Sequence, residues 1–422
     1  VSISETLSQT ETEPAPAAPQ KPVGGRNTAV LVGFTAVTSL ADGVMKTALP
    51  FLAAQLTTSP TRITAVSMTL TLPWLLIALH IGVLVDHFDR RRLLWVANGM
   101  RMAIMGWLTL SALGDGVGLA QLFIGGAVLG VADVLASISA SALVPAAIPE
   151  AGRERANAWM LGAETVGFEF AGPSIGGLLL AAGTALALGA IGISYTVAAL
   201  ALLVLVGRFQ AAGRAPGAAP GSVGSRIVEG LRFIWQNRVL RTLMLVVAVL
   251  NATWGAWLAL FPLYATQTLA LSPQRYGFAL SALGIGGLTG TLVVAPLNRL
   301  LGRRWAMFAA PFGTTSLVAL PALTTSLWAV TVGAFLGGMG GTLWTVNART
   351  ITQRLVPDEM LGRFSATFRF AAFGVLPLGA GLVGVLAELI DARLAFGAFA
   401  LVTTATLVPF FRNITPSALG SR

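Results

Sequence analysis

Apolar residues fill this chain in long blocks, and the polar residues between them come in short clusters. From Thr28 onward twelve apolar stretches follow one another, centred near residues 38, 74, 102, 132, 170, 196, 252, 286, 313, 338, 374 and 402. Each has the length, about 20 residues, that a helix needs to cross a hydrocarbon core of about 30 Å. The breaks fall at turn and charge signals, as at 57–60, 114–116, 149–152 and 271–273. The pattern predicts an all-α membrane protein with twelve transmembrane helices.

Composition supports that reading independently. Only 10% of the 422 residues are charged and the mean hydropathy is +0.78, whereas a soluble domain is roughly 25% charged. There is no cysteine, and His80 and His87 are the only histidines, so disulfides, thiolate chemistry and a metal or catalytic cluster are not expected. No cofactor is called for. A formal net charge of +10 would point to nucleic acid in a soluble chain, but here the basic residues lie between apolar segments rather than in a patch with aromatics. They read as topology signals, with the lipid bilayer and not nucleic acid as partner.

An even number of spans puts both termini on one side. Twenty lysines and arginines fall on that side, against Arg62, Arg275 and Arg393 on the other, so both termini are expected in the cytoplasm. The predicted organisation is a disordered tail over 1–27, a six-helix bundle over 28–209, a linker over 210–239, a second six-helix bundle over 240–412, and a tail over 413–422. The linker holds a flexible Ala/Pro/Gly stretch, 211–224, then 227–235, which fits either a basic amphipathic helix on the inner leaflet or a solvated connection. An internal repeat supports the two pseudo-symmetric bundles. Leu143, Val144 and Pro145 recur as Leu355, Val356 and Pro357, and Arg155 and Gly176 align with Arg363 and Gly384.

The connection after the second span reads Gly82, Val83, Leu84, Val85, Asp86, His87, Phe88, Asp89, Arg90, Arg91, Arg92, Leu93. It resembles the G-x-L-x-D-x-x-G-R-[RK] loop of major facilitator superfamily transporters, with a worn copy at 295–304. The first span carries Ala41, Asp42 and Gly43 with Pro50 beyond, and the fifth carries Gly172, Pro173, Ser174, Ile175, Gly176 and Gly177. These resemble elements of the twelve-span drug and secondary-metabolite exporters, among them macrolide, tetracycline and siderophore efflux proteins, and the fifth-span motif implies export. Asp89 stands where the superfamily favours glycine, and the basic residue many exporters place in span four is replaced by Gly126. The resemblance implies gating by Gly82, Asp86 and Arg90, with Arg363 near Asp86. Arg91 and Arg92 read as positive-inside anchors.

Charges inside spans cost about 2.5–3.5 kcal/mol each on insertion scales and mark functional sites. Asp42 and Lys46 are four apart on span one, share a face, and are expected to neutralise each other, either as an inert pair or as a proton carrier and its modulator. Asp133 is the second candidate for proton coupling. Glu164 and Glu169 complete the set and, at roughly 140° around a helix, diverge. Arg101, Arg349 and Arg369 are the available bases. Asn251 with Trp254, and Trp344 with Asn347, place an aromatic beside an amide on spans seven and ten, which suits either a substrate cavity or ordinary packing. The run 172–177 reads as close helix packing that, with the family pattern, seals against proton leak.

The chain thus reads as a non-enzymatic, proton-driven exporter of a lipophilic drug-like or secondary-metabolite substrate, working by alternating access in a bacterial inner membrane. No nucleotide-binding loop is present. A monomer is expected. The rival readings are uptake, transport of lysophospholipid or another lipid, and a non-transporting sensor on a transporter scaffold.

Overall fold

The computed structural model describes residues 23–207, 209, 223–357, 360, 364, 367–368 and 371–414. Every regular element among them is a helix. In chain order these are α1 (Val23–Leu56), α2 (Pro60–Leu76), α3 (Ala78–His87), α4 (Arg90–Leu113), α5 (Leu119–Ala147), α6 (Glu150–Glu164), α7 (Gly172–Ala182), α8 (Thr184–Ala201), α9 (Val223–Gln236), α10 (Arg238–Leu263), α11 (Pro273–Leu300), α12 (Arg303–Leu323), α13 (Leu327–Leu355), α14 (Leu376–Leu389), α15 (Ala392–Ala405) and α16 (Leu407–Asn413).

Eleven segments among the described residues are long and apolar enough to cross a bilayer. The remaining expected span, the second, runs as α2 and α3, broken at Ile77 one turn after Pro73, so that neither piece reaches spanning length by itself. Span five is also interrupted. Between α6 and α7 the chain takes a wide i→i+5 turn over Thr165–Ala171, closed by Gly172 N–H donating to Gly167 O. Pro173 explains it: without an N–H it leaves the carbonyl four residues back without its helical donor, and the widened turn accommodates the missing bond.

Local chemistry sets the helix starts. Ser59 and Ser272 accept from the backbone N–H groups of Arg62 and Arg275, with Pro60 and Pro273 as first helical residues. Ser-Pro-x-Arg therefore opens α2 and α11 alike, a repeat 213 residues apart that extends the one legible in the loops. Asp89 caps α4 by accepting from Arg91 and Arg92 N–H, which gives the residue found in place of the family glycine a plain structural job. Asn237 caps α10 in the same way.

Polar contacts fix two levels of helix ends. At one level buried Asn27 of α1 donates to Ala147 O and Val206 O, each at 3.0 Å, and Arg91 of α4 donates to Leu203 O and Leu205 O just beyond α8. The second half repeats the device: Arg304 of α12 donates to Phe411 O at 2.8 Å and Asn413 bonds Arg238 and Thr242. α1 starts at Val23, inside the stretch 1–27 expected to be a tail, and Asn27 is already anchored there by these bonds. Residues 1–22, 210–222 and 415–422 of the expected tails and linker lie outside the described residues. At the other level Tyr264 Oη donates to Thr324 O and Arg393 to Ala322 O.

Helices α1, α2 and α7 meet α10, α11 and α14 along a seam, and the tight contacts lie towards this second level. Ser174 and Ser281 hydroxyls are 2.7 Å apart, Thr61 Oγ1 donates to Gly384 O, and Trp257, Phe261, Tyr276 and Phe51 stack in series with centroids 4.4, 5.5 and 5.1 Å apart. One apolar core runs unbroken through residues of both halves there. Towards the level of the termini the cores are separate for each half. The molecule is closed at the far level and open at the terminal one.

Candidate functional site

The opening contains a cavity of about 550 Å³ lined by α1, α4, α5 and α6. At its inner end Arg101 of α4, with a side chain only 3% exposed, holds two carboxylates. Its Nη2 donates to Asp133 Oδ1 of α5 at 3.0 Å and lies 3.6 Å from Asp42 Oδ1 of α1. Tyr195 of α8 donates its hydroxyl to the same Asp42 oxygen at 2.5 Å, and its ring centroid lies 4.8 Å from the guanidinium carbon. Trp74 of α2 donates Nε1 to Asp133 Oδ2 at 2.9 Å. Five helices thus converge on one guanidinium and two acids.

The charge count gives this cluster its chemistry. Two carboxylates against one guanidinium leave the cluster one excess formal negative charge. Glu164 and Arg153 of α6 line the same cavity, and the Arg153 guanidinium is engaged with Ile148 O and Pro145 O.

Lys46 takes a different partner. Its Nζ is 2.8 Å from Glu169 Oε2 and 4.4 Å from the centroid of the Phe168 ring. The expected Asp42–Lys46 neutralisation is therefore corrected: Asp42 is held by Tyr195 and Arg101, while Lys46 is drawn to the wide turn in span five that presents Phe168 and Glu169. Residues four apart on one helix have been assigned to two separate sites by their neighbours.

Gly172, Pro173, Gly176 and Gly177 form a three-helix crossing. A Cβ on Gly172 would lie 2.6 Å from Gly43 Cα, and one on Gly176 3.1 Å from Val44 O, so both face α1. Gly177 abuts Gly277 of α11, a helix of the other half, and the Pro173 carbonyl abuts Gly277 as well. The motif thus joins the first span to the seam.

The amides and aromatics expected to line a substrate cavity do not line this one. Asn347 is 1% exposed, accepts from Asn298 Nδ2 at 3.0 Å and donates to Leu343 O. Trp344 is buried against Phe410, and Asn251 donates to Ala372 O at 2.8 Å. Trp254 is half-buried against the core shared by both halves. A buried amide must find partners, and helix-to-helix partners were nearest. Arg349 is exposed. Among the gating residues, Gly82 has open space around it and Arg90 donates its backbone N–H to Phe209 O at 3.4 Å. Arg363, Arg369 and the side chain of Asp86 lie outside the described residues, so the expected Asp86 contacts do too.

The sequence marks Arg101 only as an available base and gives Tyr195 and Trp74 no prominence. A signal for Tyr195 is nonetheless present: a phenol in an apolar span needs a polar partner when buried.

Two helical halves share one core at one level and have separate cores at the other, and a cavity ending in buried charge lies within the first half; that is the architecture of a membrane transporter. The model of the transmembrane secretion effector family, within the major facilitator group, matches residues 22–417. The chain belongs to that family and is a transporter rather than an enzyme. It is similar to the multidrug efflux pump Tap of Mycolicibacterium fortuitum, 30% identical over 395 residues that cover 89% of this chain and 93% of the relative. Tap of Mycobacterium tuberculosis H37Rv is likewise 30% identical over 394 residues, covering 90% and 92%. Among solved structures, a bacterial homologue of human Spinster in an inward-facing, unoccupied conformation superposes with a TM-score of 0.68 at 12% identity, covering 93% of this chain and 97% of that one. An inward-facing bacterial homologue of ferroportin gives 0.67 at 16%, covering 93% and 99%. At these identities the structures speak to the fold.

Proposed function

We propose that this protein exports lipophilic drug-like or secondary-metabolite molecules across a bacterial inner membrane in exchange for protons. The observation that carries the reading is Arg101 shared by Asp42 and Asp133 on the wall of the first-half cavity. The similarity to multidrug efflux pumps over about nine-tenths of the chain supports the substrate class. The excess of arginine on the terminal side supports cytoplasmic termini, which makes the state described inward-facing and its cavity the cytoplasmic loading site.

In this reading the chain works as a monomer whose bundles, 28–209 and 240–412, rock about the seam. A proton taken up on Asp42 or Asp133 from the outside leaves Arg101 to the other acid. When the cavity faces the cytoplasm the proton departs and substrate enters. Each ligand biases the two facing states only by its difference in affinity for them. Lys46 with Glu169, and Glu164 on the cavity wall, supply further proton-coupling positions, while the loop of Gly82, Asp86, Arg90 and Arg363 closes the cytoplasmic side in the opposite state. The 172–177 crossing seals the pathway.

The test is efflux of a fluorescent lipophilic cation and of a macrolide from energised cells, with and without a protonophore, for the parent, Asp42→Asn and Asp133→Asn. Protonophore-sensitive efflux that either substitution abolishes is expected. Parent efflux that ignores the protonophore would remove proton coupling from the reading.

A further inference from the structure

Helix α9 lies between the two halves in sequence and is apolar on two faces. One face is occupied: Ile234 is fully buried in a cluster with Leu240 and Met244 of α10 and with Val356 and Phe364. The second face is not. Val228, Leu231 and Trp235, spaced three and four apart and so on one stripe of the helix, are 61%, 40% and 49% exposed. Arg232 and Gln236 beside them are exposed as well.

The position of that stripe identifies what covers it. Only Asn237 separates α9 from α10, a spanning helix, and Arg241 of α10 donates to Trp235 O at 3.2 Å, clipping the two together. Trp235 therefore sits at the level where a span leaves the hydrocarbon, the depth that tryptophan favours. The open stripe leads directly into α10, and exposed Arg232 and Arg238 lie beside it, with exposed Glu229 the one acid of the helix. An apolar stripe edged by arginines at this depth is the pattern of an interfacial helix on an anionic leaflet.

We propose that α9 is a lipid-binding element that seats Val228, Leu231 and Trp235 in the leaflet at the level of the termini and places Arg232 against anionic phospholipid headgroups. Its other face grips α10 and the segment at Val356 and Phe364, so the leaflet is tied to the open side of the transporter. The inference does not depend on the direction or the energy source of transport.

The absence of cysteine makes the test direct. The full chain carrying L231C or Q236C is spin-labelled and reconstituted in phosphatidylcholine vesicles with or without phosphatidylglycerol. Collision rates with oxygen and with a water-soluble nickel chelate are then measured. The label at 231 is expected to favour oxygen over the chelate at least threefold more than the label at 236, with a larger contrast when phosphatidylglycerol is present. Adding Arg232→Gln should return that contrast to its neutral-lipid value. Equal chelate exposure at the two sites overturns the proposal, as does a contrast indifferent to phosphatidylglycerol. Shielding of 231 from both reagents, with spin–spin broadening at full labelling, overturns it in favour of a second copy of the chain.

Discussion

Glu388, at the last turn of α14, accepts from Ser59 at the start of α2: its Oε2 lies 2.8 Å from the Ser59 hydroxyl and 3.1 Å from the Thr61 backbone nitrogen. A carboxylate from the second half thus caps a helix of the first, where unpaired N–H groups and the helix dipole favour negative charge. This contact latches the far level shut. Glu388 is exposed, so water screens the contact, and Glu388→Gln is expected to shift the facing equilibrium modestly toward the state open at that level. Distance measurements between labels on α2 and α14 read this out. An unchanged distance distribution would remove the latch.

Arg101 should be the least replaceable residue of the cavity. Arg101→Met strands two carboxylates, and breaking a buried ion pair in this way costs about 3–5 kcal/mol. The variant is expected to lose most folded protein in detergent melts. Adding Asp42→Asn and Asp133→Asn should restore the melting temperature without restoring transport. Failure of that rescue would mean that Arg101 stabilises the bundle by packing rather than by charge.

Lys46 and Glu169 should behave as a coupled pair. Each charge reversal alone is expected to lower thermal stability, while Lys46→Glu combined with Glu169→Lys recovers most of it. Additive losses in that cycle would show the contact to be energetically idle.

Gly277→Val is expected to open the far level, because the new side chain meets the backbone of Pro173 and Gly177 across the seam. Labelling of a cysteine introduced at the far level should rise and transport should fall. Gly82→Ala makes the control: with open space around Gly82 it should leave stability within about 0.5 kcal/mol, as ordinary surface changes do.

Asn347→Ala should act on stability and not on substrate choice. It leaves Asn298 Nδ2, from which Asn347 accepts at 3.0 Å, without that acceptor, at a cost of about 1–3 kcal/mol. The ranking of exported compounds is expected to stay the same. A changed ranking with an unchanged melting temperature would return Asn347 to a substrate cavity in another facing state.

The helices, their approximate limits and the two-fold repetition were legible in the order of residues. Each span is a local matter of length and hydropathy, as 238–268 and 273–300 illustrate, and each cap is a local matter of one side chain, as with Ser59 and Ser272. Hydropathy and charge alone also picked out the residues that are costly to place in a membrane, Asp42, Lys46, Asp133 and Glu169 among them. Who meets whom was settled by packing. Asp42 and Lys46 look like a pair along the helix, yet Tyr195, 153 residues from Asp42, and Glu169, 123 residues from Lys46, take them apart. Asn347 and Trp344 carry the composition of a binding surface and end inside a helix bundle. Glu388 becomes a cap only because α2 arrives beside it. Backbone hydrogen bonds within a span are satisfied by near neighbours in the chain, whereas a buried charge or amide is satisfied by whichever element lies within about 3 Å, and that neighbour is chosen by the fold of the whole molecule.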